Sequence, residues 1–132
     1  MLTKSLLQKE KEFLFGDLSK KIIELAIKVH KKLGPGFVEK IYGKALLFEF
    51  KKEHIKFETE EIIKVEYEGV LLGNQRIDFL IEDKIILELK AVTELNNIHQ
   101  AQILSYLKAA KKKVGLLLNF AKPCLEIKRI VN

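Results

Sequence analysis

Three charged residues lie among apolar ones in the middle of the chain, within two predicted strands. Asp78 belongs to the first strand, over residues 76–81, and Glu88 and Lys90 belong to the next, over residues 85–90. Side chains two residues apart in a strand share a face, so Glu88 and Lys90 point the same way. An unpaired buried charge costs on the order of several kcal/mol, so these charges need a partner.

The turn between the two strands decides whether the three charges meet. If residues 82–84 form a three-residue turn, Ile81 pairs with Ile85 and Asp78 lies opposite Glu88. A two-residue turn shifts the register and moves Asp78 to the other face of the sheet. The three-residue turn therefore predicts two carboxylates and an ammonium group on one patch.

Such a patch suits a divalent cation. Two carboxylates and a backbone carbonyl between strands are ligands for a hard, oxygen-preferring ion such as Mg²⁺ or Mn²⁺. The neighbouring Lys90 could position a water molecule and offset charge developing on a phosphate. The alternative is a surface salt bridge on a solvent-facing sheet, which needs no metal.

The spacing of apolar residues predicts the elements that must position this patch. The order is two helices, three strands, one helix and two strands, which predicts one layered α/β domain over residues 1–132. Residues 1–16 are predicted to be a loose arm or a short helix. The helices are predicted over residues 17–33, 38–53 and 93–111, and the strands over residues 63–67, 76–81, 85–90, 114–120 and 125–131, with a bend or bulged hairpin at residues 69–73.

Two of the predicted helices carry polar residues at helical spacing. His99, Gln102 and Tyr106 share a stripe of the third helix that can face the sheet, and Glu39 and Tyr42 are three residues apart on the second helix. Structural explanations exist beside functional ones. Glu39 could be a favourable acid in a first helical turn, both tyrosines could be core-edge aromatics with bonded hydroxyls, and His99 could cap or pack.

Composition favours a cytoplasmic protein with a polyanionic partner. The 132 residues include 24 Lys and Arg against 18 Asp and Glu, which gives a net charge of +6. A role in solubility alone would explain this charge as well as a polyanionic partner does. The single Cys124, expected to pack, excludes an intramolecular disulfide and fits a reducing compartment. No membrane span or secretory signal is predicted. His30 and His54 lie among charged residues and are expected to be solvated.

Three sequence blocks resemble a known family. Ile77-Asp78 and the later Ile-Leu-Glu88-Leu-Lys90 resemble the paired signature of the PD-(D/E)xK nuclease superfamily, with Ile77 in place of the usual Pro. Gly36-Phe-Val-Glu39-Lys-Ile-Tyr42 matches the motif of the GxxExxY proteins, a small family placed in that superfamily. A third block, residues 98–108, is similar to the third sequence block of this family. Its Gln102-x-x-x-Tyr106 spacing resembles the exonuclease branch of the superfamily.

The resemblance implies a restriction-endonuclease-like core, which is a mixed central β-sheet flanked by α-helices. It also implies Mg²⁺- or Mn²⁺-dependent hydrolysis of nucleic-acid phosphodiesters, with DNA as the expected substrate. Asp78 and Glu88 would ligate the metal together with the Leu89 carbonyl, and Lys90 would assist the attacking water. Glu39 would add a carboxylate to a second metal or to its water shell.

The same resemblance implies roles for residues on the helices. Gln102 would orient the phosphodiester or Lys90, and Tyr106, His99 and Tyr42 are candidates for substrate contact. The alternative function is a non-catalytic nucleic-acid- or partner-binding protein that retains the nuclease fold. A chain of 132 residues has little room for a specificity domain, so a homodimer or a partner protein is an open expectation.

Overall fold

The helices and strands follow one another in the predicted order. A computed structural model describes residues 14–132, so the prediction for the N-terminal arm lies outside the described residues except at its end. The elements are α1 (Gly16–Leu33), α2 (Glu39–Lys52), β1 (Phe57–Tyr67), β2 (Val70–Ile81), β3 (Ile85–Lys90), α3 (Asn97–Ala110), β4 (Val114–Asn119) and β5 (Glu126–Val131).

The five strands form one mixed sheet in the order β1-β2-β3-β4-β5. Only β3 and β4 run parallel, and α3 connects them. The β1–β2 hairpin turns at Glu68 and Gly69, both with positive φ (49° and 83°), as a type I′ turn requires. Its register shifts beside Val65, so the predicted bulged hairpin is confirmed.

The first two strands are longer than predicted. β1 begins at Phe57 and β2 begins at Val70, well before the apolar alternation that marked them in the sequence. Around the hairpin turn the two strands pair only with each other, and most side chains there are exposed on both faces. Without a covered face, no alternation of apolar and polar residues is needed, so the pattern could not show these segments.

Helices cover both faces of the sheet. α1 and α2 pack on one face through a core that includes Ile22, Leu46, Phe50, Phe79, Leu87 and Leu116, and α3 packs on the other through Ile103 and Leu107. β4 is buried along its whole length, which confirms the predicted central strand. A Cβ at Gly115 would lie 2.7 Å from Ile103 Cδ1, so this glycine lets α3 lie close to the sheet.

Two predicted exposures are wrong. His30 is buried, and its Nε2–H donates to the carbonyl of Lys122 at 2.8 Å, because the charged face of α1 is covered there by the segment after β4. Cys124 is exposed rather than packed, since it lies in the turn before β5. Within residues 14–132, no helix has the length and apolar character of a membrane span.

Candidate functional site

The site lies where β2 and β3 separate. Their register joins Ile81 to Ile85 and Phe79 to Leu87 across the turn at residues 82–84, so the turn is the three-residue one of the two alternatives. One step beyond this ladder, Asp78 lies opposite Glu88. The backbone amide of Leu89 donates to Asp78 Oδ2 at 2.8 Å, in place of a bond between the strands.

Glu88 is a buried acid with an unused oxygen. The residue is only 6% exposed, and its Oε1 has no hydrogen-bond partner among the described residues. Burial, followed by the neighbouring Asp78, raises the pKa of Glu88 to about 9, although the charge of Lys90 acts in the opposite direction. At neutral pH the carboxyl therefore holds a proton unless a cation takes its place.

The carbonyl of Leu89 points toward the same gap. The amide of Phe120, just after β4, donates to the carbonyl of Lys90 at 2.9 Å, so that carbonyl faces β4. Successive carbonyls in a strand point to opposite sides, so the Leu89 carbonyl faces β2, where the ladder has ended. Asp78, Glu88 and this carbonyl form a set of hard oxygen donors that could hold Mg²⁺ or Mn²⁺.

Lys90 is held by α3 rather than by an acid. Its Nζ donates to Gln102 Oε1 at 3.2 Å, and within residues 14–132 it makes no salt bridge with a carboxylate. The alternative of a simple surface salt bridge is therefore wrong. The arrangement leaves the ammonium group beside the two acids and fixed at one end by an amide oxygen.

Tyr106 lies on the same stripe of α3 as Gln102. Its hydroxyl donates to Gln75 Oε1 at 3.4 Å, and the side chain is half-buried. Burial first, and then the charges of Glu88 and Asp78, raise the pKa of Tyr106 above its usual value. The stripe predicted from helical spacing thus brings Gln102 and Tyr106 to the carboxylate side of the sheet.

Glu39 extends toward the site from α2, on the face of the sheet opposite α3, but its carboxylate already accepts a hydrogen bond. It is the first residue of α2, and its Oε1 accepts from the amide of Ala91 at 3.2 Å. It also lines, with Asp78, a groove of about 450 Å³ between α2 and the start of β1. Across residues 14–132, no three His, Cys, Asp or Glu side chains converge as metal ligands, so Glu39 does not join the pair at the strands.

Two predicted substrate contacts have structural positions instead. Tyr42 is fully buried and stacks on Phe120 with a centroid separation of 4.4 Å, and its hydroxyl donates to the Gly34 carbonyl at 2.6 Å. The prediction that Tyr42 contacts substrate is therefore wrong, since its ring has no exposed surface. His99 accepts from the Asn96 amide through Nδ1 at 3.2 Å and completes the N-terminal capping box of α3.

Asn119, which no sequence pattern singled out, holds the chain that follows Lys90. Asn119 is fully buried at the end of β4, and its Oδ1 accepts from the amides of Val92 at 3.0 Å and Ala121 at 3.2 Å. Its Nδ2 donates to the Val92 carbonyl at 2.9 Å and to Glu126 Oε1 at 3.0 Å. An amide near the end of an otherwise apolar strand was the available signal.

A partly buried acid and a buried acid at a strand fork, with a lysine two residues beyond the second acid, form the arrangement found in one class of nucleases. Residues 16–130 match the family model of the PD-(D/E)XK nuclease superfamily, and the chain belongs to this superfamily. The fold is similar to the crystal structure of SSO0001, with a TM-score of 0.57 and 22% identity.

That likeness concerns the fold alone. It covers 70% of this chain and 49% of the SSO0001 chain, so the matched region spans about half the length of that protein. No curated protein matches this chain. The predicted mixed sheet flanked by helices is confirmed as a PD-(D/E)XK-like core.

Proposed function

We propose that this chain is a metal-dependent nuclease that hydrolyses phosphodiester bonds of nucleic acid, with DNA as the expected substrate. We further propose that it forms one domain and acts in the cytoplasm. The carrying observation is the pair of Asp78 and Glu88 at the strand fork, with the buried Glu88 Oε1 unpartnered and Lys90 beside it. Superfamily membership supports the class of reaction. The Gly36-to-Tyr42 block supports a place among the GxxExxY proteins.

The donor set fits a divalent cation. Asp78, Glu88 and the Leu89 carbonyl would hold Mg²⁺ or Mn²⁺, and the ion would replace the proton that Glu88 otherwise retains. When bound, such an ion polarises a phosphate and lowers the pKa of a coordinated water. Glu39 would contribute through the water shell, because its Oε1 bonds to the Ala91 amide.

The remaining side chains would act on the substrate. Lys90, fixed by Gln102, would orient the attacking water and stabilise negative charge that develops on the phosphate. Gln102 is then a positioning residue for this ammonium group. Tyr106, whose hydroxyl lies near the charged pair, is the candidate for contact with the substrate, and His99 supports α3 from its N-terminus.

A second candidate is a binding protein that retains the fold without catalysis. The observation that favours it is the count of acids, since only Asp78 and Glu88 converge within the described residues and Glu39 is bonded elsewhere. Such a protein would bind nucleic acid or a partner protein without requiring Lys90.

Calorimetric titration of Mn²⁺ tests the site without a guess at the substrate. We expect the wild type to bind the ion, and Asp78→Ala and Glu88→Ala to lose that binding while circular dichroism shows both still folded. Glu66→Ala, an exposed acid on β1, is the matched control and should bind like the wild type. No binding by the wild type, or equal binding by all variants, would contradict the metal centre.

A further inference from the structure

Gly43 has no explanation in the packing of α2. Glycine inside a helix costs about 0.5–1 kcal/mol relative to alanine, and Gly43 lies in the interior of Glu39–Lys52. A Cβ at this position would meet only Leu89 Cδ1, at 3.5 Å, which is an ordinary contact. Neither close packing nor a positive φ requires glycine here, in contrast to Gly115.

The missing side chain instead keeps a groove open beside the acids. We call it the α2 groove, the space of about 450 Å³ between α2 and the first residues of β1. Gly43, Leu47, Phe79 and Leu89 give it an apolar floor, and Asp78 lies at its edge. Because Gly43 and Leu89 are neighbours in this floor, a large side chain at residue 43 would fill the space.

The rim of the α2 groove carries two lysines one helical turn apart. Lys40 and Lys44 are exposed, and neither makes a salt bridge with any residue of the described range. Lys28 on α1, by comparison, is paired with Glu49 at 3.1 Å. Glu39, at the start of the same helix, and Glu60 on β1 also line the groove, so a phosphate would approach along Lys40 and Lys44.

We propose that the α2 groove binds one unpaired nucleotide of the substrate, adjacent to the phosphate at Asp78, so that the preferred substrate contains single-stranded nucleic acid. The inference rests on the proposed nuclease function. The volume is that of a pocket for a small molecule. An apolar floor contacts base and sugar only when the base is not stacked in a duplex. Lys40 and Lys44 contact the flanking phosphates.

Fluorescence anisotropy with a labelled single strand, and with the blunt duplex of the same sequence, tests the preference. We expect the wild type to bind the single strand about tenfold more tightly, a difference of about 1.4 kcal/mol. Gly43→Leu should lose about tenfold in affinity for the single strand, and Gly43→Ala, which adds one ordinary contact, should stay close to the wild type.

The lysines supply a second test that does not depend on the fold of Gly43→Leu. Replacing Lys40 and Lys44 together by Ala should make single-strand affinity less dependent on salt. The slope of the logarithm of the binding constant against the logarithm of the salt concentration should become about 1.4 less steep. The matched control replaces Lys51 and Lys52, on the same helix but outside the groove, and should leave the slope unchanged.

The Mn²⁺ titration separates this inference from the proposed function. Gly43→Leu should retain wild-type Mn²⁺ binding, because the acids are unchanged. Three outcomes would overturn the inference even if Mn²⁺ binds at Asp78 and Glu88. They are equal affinity for single strand and duplex, no affinity for either, and unchanged single-strand binding in both Gly43→Leu and the double variant of Lys40 and Lys44. A wild-type protein that does not bind Mn²⁺ would overturn the proposed metal centre instead.

Discussion

The carboxylate of Asp78 on β2 accepts a hydrogen bond from the backbone amide of Leu89 on β3, at 2.8 Å. A side chain thus takes over the connection between the two strands where their ladder ends. The bond fixes one oxygen of Asp78 and places the carboxylate beside Glu88. The fork in the sheet and the orientation of the acid are therefore one structural feature.

Asp78→Ala should be less stable than Asp78→Asn. Alanine leaves the Leu89 amide without a partner, which costs about 1–3 kcal/mol, whereas the asparagine oxygen can still accept that bond. Urea unfolding of the two variants measures the difference. Equal free energies of unfolding would show that the amide finds another partner, and would contradict a bridging role for Asp78.

Lys90→Ala should lower the rate of Mg²⁺-dependent cleavage by about 100-fold, because it removes the ammonium group beside the acids. Affinity for nucleic acid should change little, as measured by anisotropy. Gln102→Ala should lower the rate by about tenfold through loss of positioning. Lys64→Ala, an exposed lysine on β1, is the control. Cleavage unaffected by Lys90→Ala would contradict the site assignment and favour the binding protein.

Glu88→Gln should make stability less dependent on pH in the presence of a chelator. The folded pKa of Glu88, about 9, is raised above the ordinary value of 4.5. The contribution of its protonated form is therefore complete below pH 4.5 and is lost as the pH rises through about 9. Wild-type stability should fall relative to Glu88→Gln by at most about 1.4 kcal/mol per pH unit.

Urea unfolding at pH 5 and at pH 8 checks this relation. Glu66→Gln, which changes an exposed acid, should follow the wild type. Parallel pH profiles for the wild type and Glu88→Gln would contradict the buried, protonated state of Glu88.

Sequence periodicity predicted the parts of the site that depend on local geometry. Alternation in β3 predicted that Glu88 and Lys90 share one face. The turn length stayed open between two and three residues, and the register of the structure decides that Asp78 lies opposite Glu88. Helical spacing likewise predicted that Gln102 faces the sheet, and the family resemblance linked it with Lys90, to which it is hydrogen-bonded. These relations follow from the repeat of a strand or a helix, which short stretches of sequence contain.

The remaining relations depend on contacts between distant segments. Tyr42 and His30 carry polar atoms that suggested exposure, but the chain after β4 covers both of them. Glu39 bonds to the Ala91 amide, and Asn119 bonds to Val92, because the sheet brings these segments together. No spacing within one element encodes such pairs.

Asn119→Ala should lower the free energy of unfolding by about 3 kcal/mol, because it leaves several buried backbone groups without partners. Thermal and urea unfolding measure the loss. Asn74→Ala, at an exposed position of β2, provides the control. A loss no larger than that of Asn74→Ala would show that the segment after Lys90 is held in another way.

Tyr42→Phe should cost about 1–2 kcal/mol in stability and leave affinity for nucleic acid unchanged. The hydroxyl bonds both the Gly34 carbonyl and the Phe37 amide, and both bonds are lost while the stacking on Phe120 remains. Urea unfolding and anisotropy measure the two effects. A weakened affinity with unchanged stability would restore Tyr42 to the substrate contacts.

The β1–β2 hairpin also bears on aggregation. β1 is an edge of the sheet, and the hairpin carries the exposed apolar residues Tyr67, Val70, Leu71 and Leu72 near its turn, a surface that could recruit strands from other molecules. The same edge strand bears the exposed acids Glu58, Glu60 and Glu66. Edge-to-edge pairing of two such strands would bring like charges together, so these glutamates oppose association through β1.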